Sequence, residues 1–70
     1  MANRTKRTAL ARLREKQKLT QYALAKRVGI AQSHLQSIER GETEPRIRLA
    51  MRIAEVLGVS VGALWPKKAA

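Results

Sequence analysis

The residue that most limits the fold of this chain is Gly29, in the stretch Gln21–Arg40, QYALAKRVGIAQSHLQSIER. Before it, Leu24, Ala25 and Val28 share one face at helical spacing; after it, Leu35 and Ile38 do the same. Between the two patterns a helix must stop and the chain must turn sharply. Glycine takes the left-handed backbone such a turn needs without a side-chain penalty. Ala25 is small, which lets the second helix cross close over the first.

A small residue, a glycine four positions on and then two inward apolar residues form the pattern of a helix-turn-helix unit. The remainder of the chain has to supply its support. Seventy residues make one small domain with no room for a second core. A chain of about 60 residues buries only about 60% of its unfolded surface, so good packing or self-association is needed. There is no cysteine, which excludes disulfides and Cys-ligated zinc. A single histidine makes a His-based metal site unexpected, and no metal or cofactor is expected. No apolar run is long enough for a membrane span or a signal peptide, so a cytoplasmic location and no membrane partner are expected.

The net charge is +10 and uneven. Residues 1–19 hold seven basic residues and one acid, residues 20–45 three of each, and residues 46–70 five basic residues and one acid. Such a small basic domain points to a polyanion, most often nucleic acid. Tyr22 and Trp65 are the only large aromatics, which argues against base-stacking binders of single strands.

Along the chain, residues 1–7 read as a basic arm in which Arg4, Lys6 and Arg7 could lie along phosphates. Five helices are expected, at about 8–17, 20–28, 31–40, 46–57 and 60–65, followed by a tail, 66–70. Thr8 and Thr20 are N-caps for the first two, and Ser60 for the fifth. Ala31 lacks the oxygen that a cap requires. In the first helix Leu10, Leu13 and Gln17 share a face with Arg14 beside them, and an arginine near an inward face needs a partner. In the fourth, Ile47, Ala50, Met51 and Ala54 form the inward stripe, with Leu49, Ile53, Val56 and Leu57 extending the apolar surface. A helix this apolar is central to the core or covered by a partner. Pro66 ends the fifth helix.

Catalysis is not expected. His34, Ser37 and Glu39 lie on one short helix, point in different directions and cannot converge as base, nucleophile and orienter. There is no glycine-rich phosphate loop. The third helix reads better as a reader of duplex DNA. Gln32, Gln36 and Arg40 line one strip with Ser33 and Ser37 beside it, opposite Leu35 and Ile38. Glutamine pairs with adenine in the major groove, serine is tolerant of either base, and arginine takes guanine or phosphate. An ordinary solvated helix face would look similar in isolation; the turn and the charge favour DNA. His34, at the edge of this strip, and Gln21 and Tyr22, at the start of the second helix, are candidates for backbone contacts. Trp65 reads as a core lid or a dimer residue rather than a stacking platform.

From Leu10 to Leu64 or Trp65 the chain resembles the lambda repressor/Cro-like (XRE-type) helix-turn-helix family. The residues carrying the resemblance are Leu13-Arg14, Leu19-Thr20-Gln21, Leu24-Ala25, Val28-Gly29-Ile30, Leu35, Ile38-Glu39-Arg40-Gly41, Pro45, Ala54, Leu57-Gly58-Val59-Ser60 and Leu64. The resemblance implies an all-α, five-helix DNA-binding domain that acts as a transcriptional regulator, usually a symmetric homodimer on a palindromic operator. It also implies that Arg14 pairs with Glu39, that Gln32, Ser33 and Ser37 read bases, and that Gln21 binds a phosphate. The sequence departs from the pattern at Ala31, at Glu42 and Glu44 in the loop after Gly41, at Arg46 before the fourth helix and at Gly62 in the fifth.

The reading is therefore a sequence-specific double-stranded DNA-binding regulator, expected to be a repressor. Leu49, Val56, Val61, Leu64 and Trp65 are candidates for a dimer contact. The rivals are a protein-interaction module of the same fold, such as an antitoxin with a toxin partner, and a charge-driven binder indifferent to sequence.

Overall fold

The computed structural model describes residues 8–69. The expected basic arm with Arg4, Lys6 and Arg7 lies outside them. The described residues form six helices: α1 (Ala9–Lys16), α2 (Gln21–Val28), α3 (Gln32–Glu39), α4 (Ile47–Leu57), α5 (Val61–Leu64) and α6 (Pro66–Ala69). The fold is all-α, with the helix-turn-helix at α2–α3.

The first two helices begin as their threonines dictate. Thr8 Oγ1 accepts from the Ala11 N–H at 3.2 Å, and Thr20 Oγ1 from the Ala23 N–H at 3.0 Å. Thr8 does a second job, since its hydroxyl donates to the Glu39 carbonyl at 2.8 Å and ties the start of α1 to the end of α3. Gly29 closes α2 with φ +93°. The N–H groups of Gly29 and Ile30 both return to the Ala25 carbonyl, at 2.8 and 3.0 Å. A Cβ at Gly29 would meet nothing within 4 Å, so the backbone angle alone selects glycine here.

The core is built from Leu10, Leu24, Ala25, Val28, Leu35, Ile38, Ile53, Ala54, Leu57 and Leu64. α2 packs against α3 and α4, and α5 against α1 and α4. Leu24, Leu35 and Ile53 are wholly enclosed. Truncating any one of them to alanine costs about 2–5 kcal/mol, a large fraction of the roughly 5–15 kcal/mol that holds a domain folded. No helix of the described residues is long and apolar enough to cross a membrane.

The structure corrects several sequence expectations. The buried stripe of α4 is Ala50, Ile53, Ala54 and Leu57, whereas Ile47 and Met51 are half exposed. Apolar residues surround most of α4, so periodicity allows more than one inward face, and packing against α2 and α5 chooses between them. Leu64, a candidate for a dimer surface, belongs to the core. Leu49, Val56, Val61 and Trp65 are half-buried and pack against that core, which leaves them less free surface than their apolar character suggests. Ser60 precedes α5 without forming a side-chain cap bond. The expected C-terminal tail contains a sixth helix. Pro66 stands at its first position, where a fixed φ suits the helix and no N–H is needed, and Lys68 Nζ lies 3.6 Å from a Glu44 carboxylate oxygen. Gln17, placed on the inward face of α1, is exposed but donates its amide to the Leu57 carbonyl at 2.7 Å, satisfying an open carbonyl at the end of α4.

Candidate nucleic-acid interface

The interface is built outward from a buried charge. Arg14 and Glu39 are both largely enclosed, at 9% and 6% exposure. The Arg14 guanidinium donates from Nε to Glu39 Oε2 and from Nη2 to Oε1 at 3.2 Å, while Nη1 donates to the Leu19 carbonyl at 2.7 Å. A forked guanidinium on a carboxylate is a strong, directional pair. It joins α1 to the last residue of α3 and to the loop that leads into α2. Among the described residues no buried side-chain polar atom lacks a hydrogen-bond partner.

From Glu39 the hydrogen bonding runs toward the surface. Gln21 Nε2 donates to Glu39 Oε1 at 3.0 Å, and Gln36 Nε2 donates to Gln21 Oε1 at 3.1 Å. Gln21, the first residue of α2, and Gln36, midway along α3, are both half-buried. Gln36 is thus set apart from the strip to which the sequence assigned it, because one of its amide hydrogens is already engaged.

The outer face of α3 carries the remaining polar residues. Ala31, Gln32, Ser33 and His34 are exposed, Ser37 is half-buried, and Leu35 and Ile38 face the core. Ala31 makes no side-chain cap bond, so the first N–H groups of α3 remain open. Arg40, just past α3, is held in an exposed ion pair with Glu42, at 3.0 and 3.3 Å. Such exposed pairs contribute about 0–1 kcal/mol, so a phosphate can draw Arg40 away at little cost.

Two further features flank the strip. Tyr22 is 60% exposed, and Lys26 Nζ, one turn further along α2, lies 5.7 Å from its ring centroid. Val28, Gly29, Ile30 and Leu49, together with Arg46, Arg48 and Arg52, line a groove of about 470 Å³. None of these three arginines is ion-paired among the described residues. The groove brings unpaired positive charge from α4 and the residue before it beside the turn that positions α3.

Sequence reasoning missed the tie from Thr8 to Glu39, because a cap accounts for a threonine completely. It also missed the Gln36–Gln21 bond. The spacing of 15 residues carries no local signal, and only the crossing of α2 and α3 brings the two amides together. Among the described residues no group of three or more His, Asp or Glu side chains is placed to hold a metal ion.

Comparison with known proteins agrees with this arrangement. A family model described as helix-turn-helix matches residues 10–64. The chain is 36% identical over 59 residues to an uncharacterized HTH-type transcriptional regulator of Archaeoglobus fulgidus, covering 84% of each protein. It is 42% identical over 55 residues to the uncharacterized HTH-type transcriptional regulator y4dL of Sinorhizobium fredii, covering 79% of this chain but 28% of that protein. Some relatives are thus about its own length, while of others it spans less than a third. Among solved structures it is similar to a helix-turn-helix family transcriptional regulator from Vibrio cholerae, with a TM-score of 0.73, 34% identity and coverage of 84% of this chain and 33% of the other. It is also similar to apo-HppE, with a TM-score of 0.74, 38% identity and coverage of 80% and 32%. A family match over residues 10–64, a relative of about its own length and a solved regulator of similar fold lead to one conclusion: the chain belongs to the XRE-type helix-turn-helix family of DNA-binding transcriptional regulators.

Proposed function

We propose that this chain binds duplex DNA sequence-specifically and represses transcription, inserting α3 into the major groove. The observation that carries this reading is the asymmetry of α3. Its inner face is locked into the core, while Gln32 and Ser33 stand exposed at its N-terminal end. Gln32 would pair with adenine, and Ser33 and Ser37 would add tolerant contacts. Gln21, Tyr22, His34, Arg40 and the groove arginines Arg46, Arg48 and Arg52 would meet the phosphates. The arm residues Arg4, Lys6 and Arg7 would extend that contact along the duplex. Repression requires only that bound protein exclude another from the same DNA.

The regulator would act as a homodimer on a palindromic operator, with half-sites about 10 bp apart. Ile47 and Met51, one turn apart on α4 and half exposed, favour a protein contact there. A second copy is the simplest partner, and a foreign one, such as a toxin, is the other reading of the same surface.

Selection of sites from random duplex DNA tests the proposal, followed by salt-titrated affinity on the winner and a scrambled control. An enriched palindrome bound at least about a thousandfold more tightly than the control is expected. No enrichment, with the same steep salt dependence on both duplexes, would mean binding by charge alone. Sedimentation of the complex should give two chains per palindrome; one chain per site overturns the dimer.

A further inference from the structure

We propose that Gln36 is a positioning residue: it holds Gln21 so that the amide hydrogen Gln21 has left is aimed at a phosphate oxygen of the DNA backbone. The proposal rests on the DNA-binding reading above and changes the part Gln36 plays in it.

The polarity of the chain Arg14–Glu39–Gln21–Gln36 is fixed from its buried end. A guanidinium only donates, and the carboxylate paired with it only accepts. Gln21, 3.0 Å from Glu39 Oε1, must therefore turn its NH2 group inward. Its Oε1 is then left for Gln36, which must in turn offer its own NH2 group, at 3.1 Å. Neither amide can be reversed alone, because reversal would set oxygen against oxygen at one of the two contacts. Amide orientations are often ambiguous; here the ion pair removes the ambiguity.

The inventory of donors that remains defines the ligand. Gln21 has two amide hydrogens, and one goes to Glu39. The other is free and suits an acceptor, which a phosphate oxygen is. With Gln36 removed, Gln21 keeps its bond to Glu39 but loses the one that restrains its oxygen, and its free hydrogen is no longer held in one direction. Gln36 is half-buried and spends one of its own hydrogens on this contact. It therefore acts on DNA through Gln21, and its effect is the same whatever the base sequence.

A double-mutant cycle tests this, using the selected duplex and a scrambled one with the unaltered chain, Gln21→Met, Gln36→Met and the double variant. Each single variant is expected to lose about tenfold in affinity on both duplexes, about the worth of one hydrogen bond to a charged group. The double variant should lose no more than Gln21→Met alone. In the free protein, the side-chain amide resonances of Gln21 should move on Gln36→Met while those of Gln32 stay in place. Losses that add would overturn the proposal by giving Gln36 a DNA contact of its own, and a Gln36→Met loss confined to the selected duplex would overturn it by making Gln36 a base reader. Unmoved Gln21 resonances would overturn it independently of DNA. If the unaltered chain binds neither duplex, the DNA reading falls and the phosphate role with it, whereas the resonances still report whether the two glutamines are joined. Should Gln36→Met fold poorly, Gln36→Ala should give the same cycle.

Discussion

At its C-terminal end α3 is held from three sides. Glu39 receives the Arg14 guanidinium and the Gln21 amide on its carboxylate, and its carbonyl accepts from Thr8. At its N-terminal end no side chain among the described residues caps it. Ala31 offers no cap, and Ala31, Gln32, Ser33 and His34 all face solvent. The two ends lie only a few residues apart, yet one is an anchor and the other is open. A reading helix needs both properties, since its direction must be fixed by the protein while its tip stays available to the groove. The contrast shows how eight residues can satisfy both demands, with rigidity supplied from α1 and α2 rather than from α3 itself.

The largest expected effect comes from breaking the anchored end. Arg14→Ala strands Glu39 in a buried site and should cost about 3–5 kcal/mol of folding stability, read by denaturant unfolding; an unchanged midpoint would mean that the anchor is ornamental. At the open end, Gln32→Ala should weaken binding to the selected duplex by about 1–3 kcal/mol, affect a scrambled duplex much less and leave thermal stability unaltered. Equal losses on both duplexes would deny Gln32 a base-reading part. Thr8→Val removes the cap of α1 together with the bond to Glu39 and should cost about 1–2 kcal/mol in thermal unfolding, with no preference among duplexes. Ala31→Ser closes the open end. It should raise stability by up to about 1 kcal/mol, a midpoint shift of about 4–8 °C in a domain of this size. Duplex affinity should fall at the same time if the open N–H groups meet DNA; an unchanged affinity would show that they do not. Smallest is Glu42→Gln, which releases Arg40 from an exposed pair. Stability should change by less than about 1 kcal/mol, and duplex affinity should rise slightly.

Much of the fold was legible because its signals are local. Thr8 and Thr20 are caps by residue type and position, Gly29 is a turn by its backbone freedom, and Leu24, Val28, Leu35 and Ile38 fall on inward faces by spacing alone. The reading of Arg14 was of a different kind. Its position asked for a partner, but only family resemblance named Glu39. Residues that escaped are those whose surroundings come from distant elements. Met51 and Ile47 looked inward because α4 is apolar nearly all round, and periodicity cannot choose among faces that are equally apolar. Pro66 read as a stop, and so it is for α5, but the same fixed φ also starts α6.

By itself, then, the sequence determined where the helices start and turn, that the chain is a small basic domain, and that a polar strip lies opposite Leu35 and Ile38. These follow from hydrogen-bonding, steric and periodic properties that act within a few residues. Only the tertiary structure decided that Gln36 reaches Gln21, that Leu64 is core, that Ile47 and Met51 stay exposed and that Thr8 clasps Glu39. The physical reason is that a side chain's hydrogen-bond partner and its share of solvent are set by what crosses over it. Here that is the packing of α1, α2 and α5 around α3 and α4, between residues too far apart in the chain to signal each other in its order.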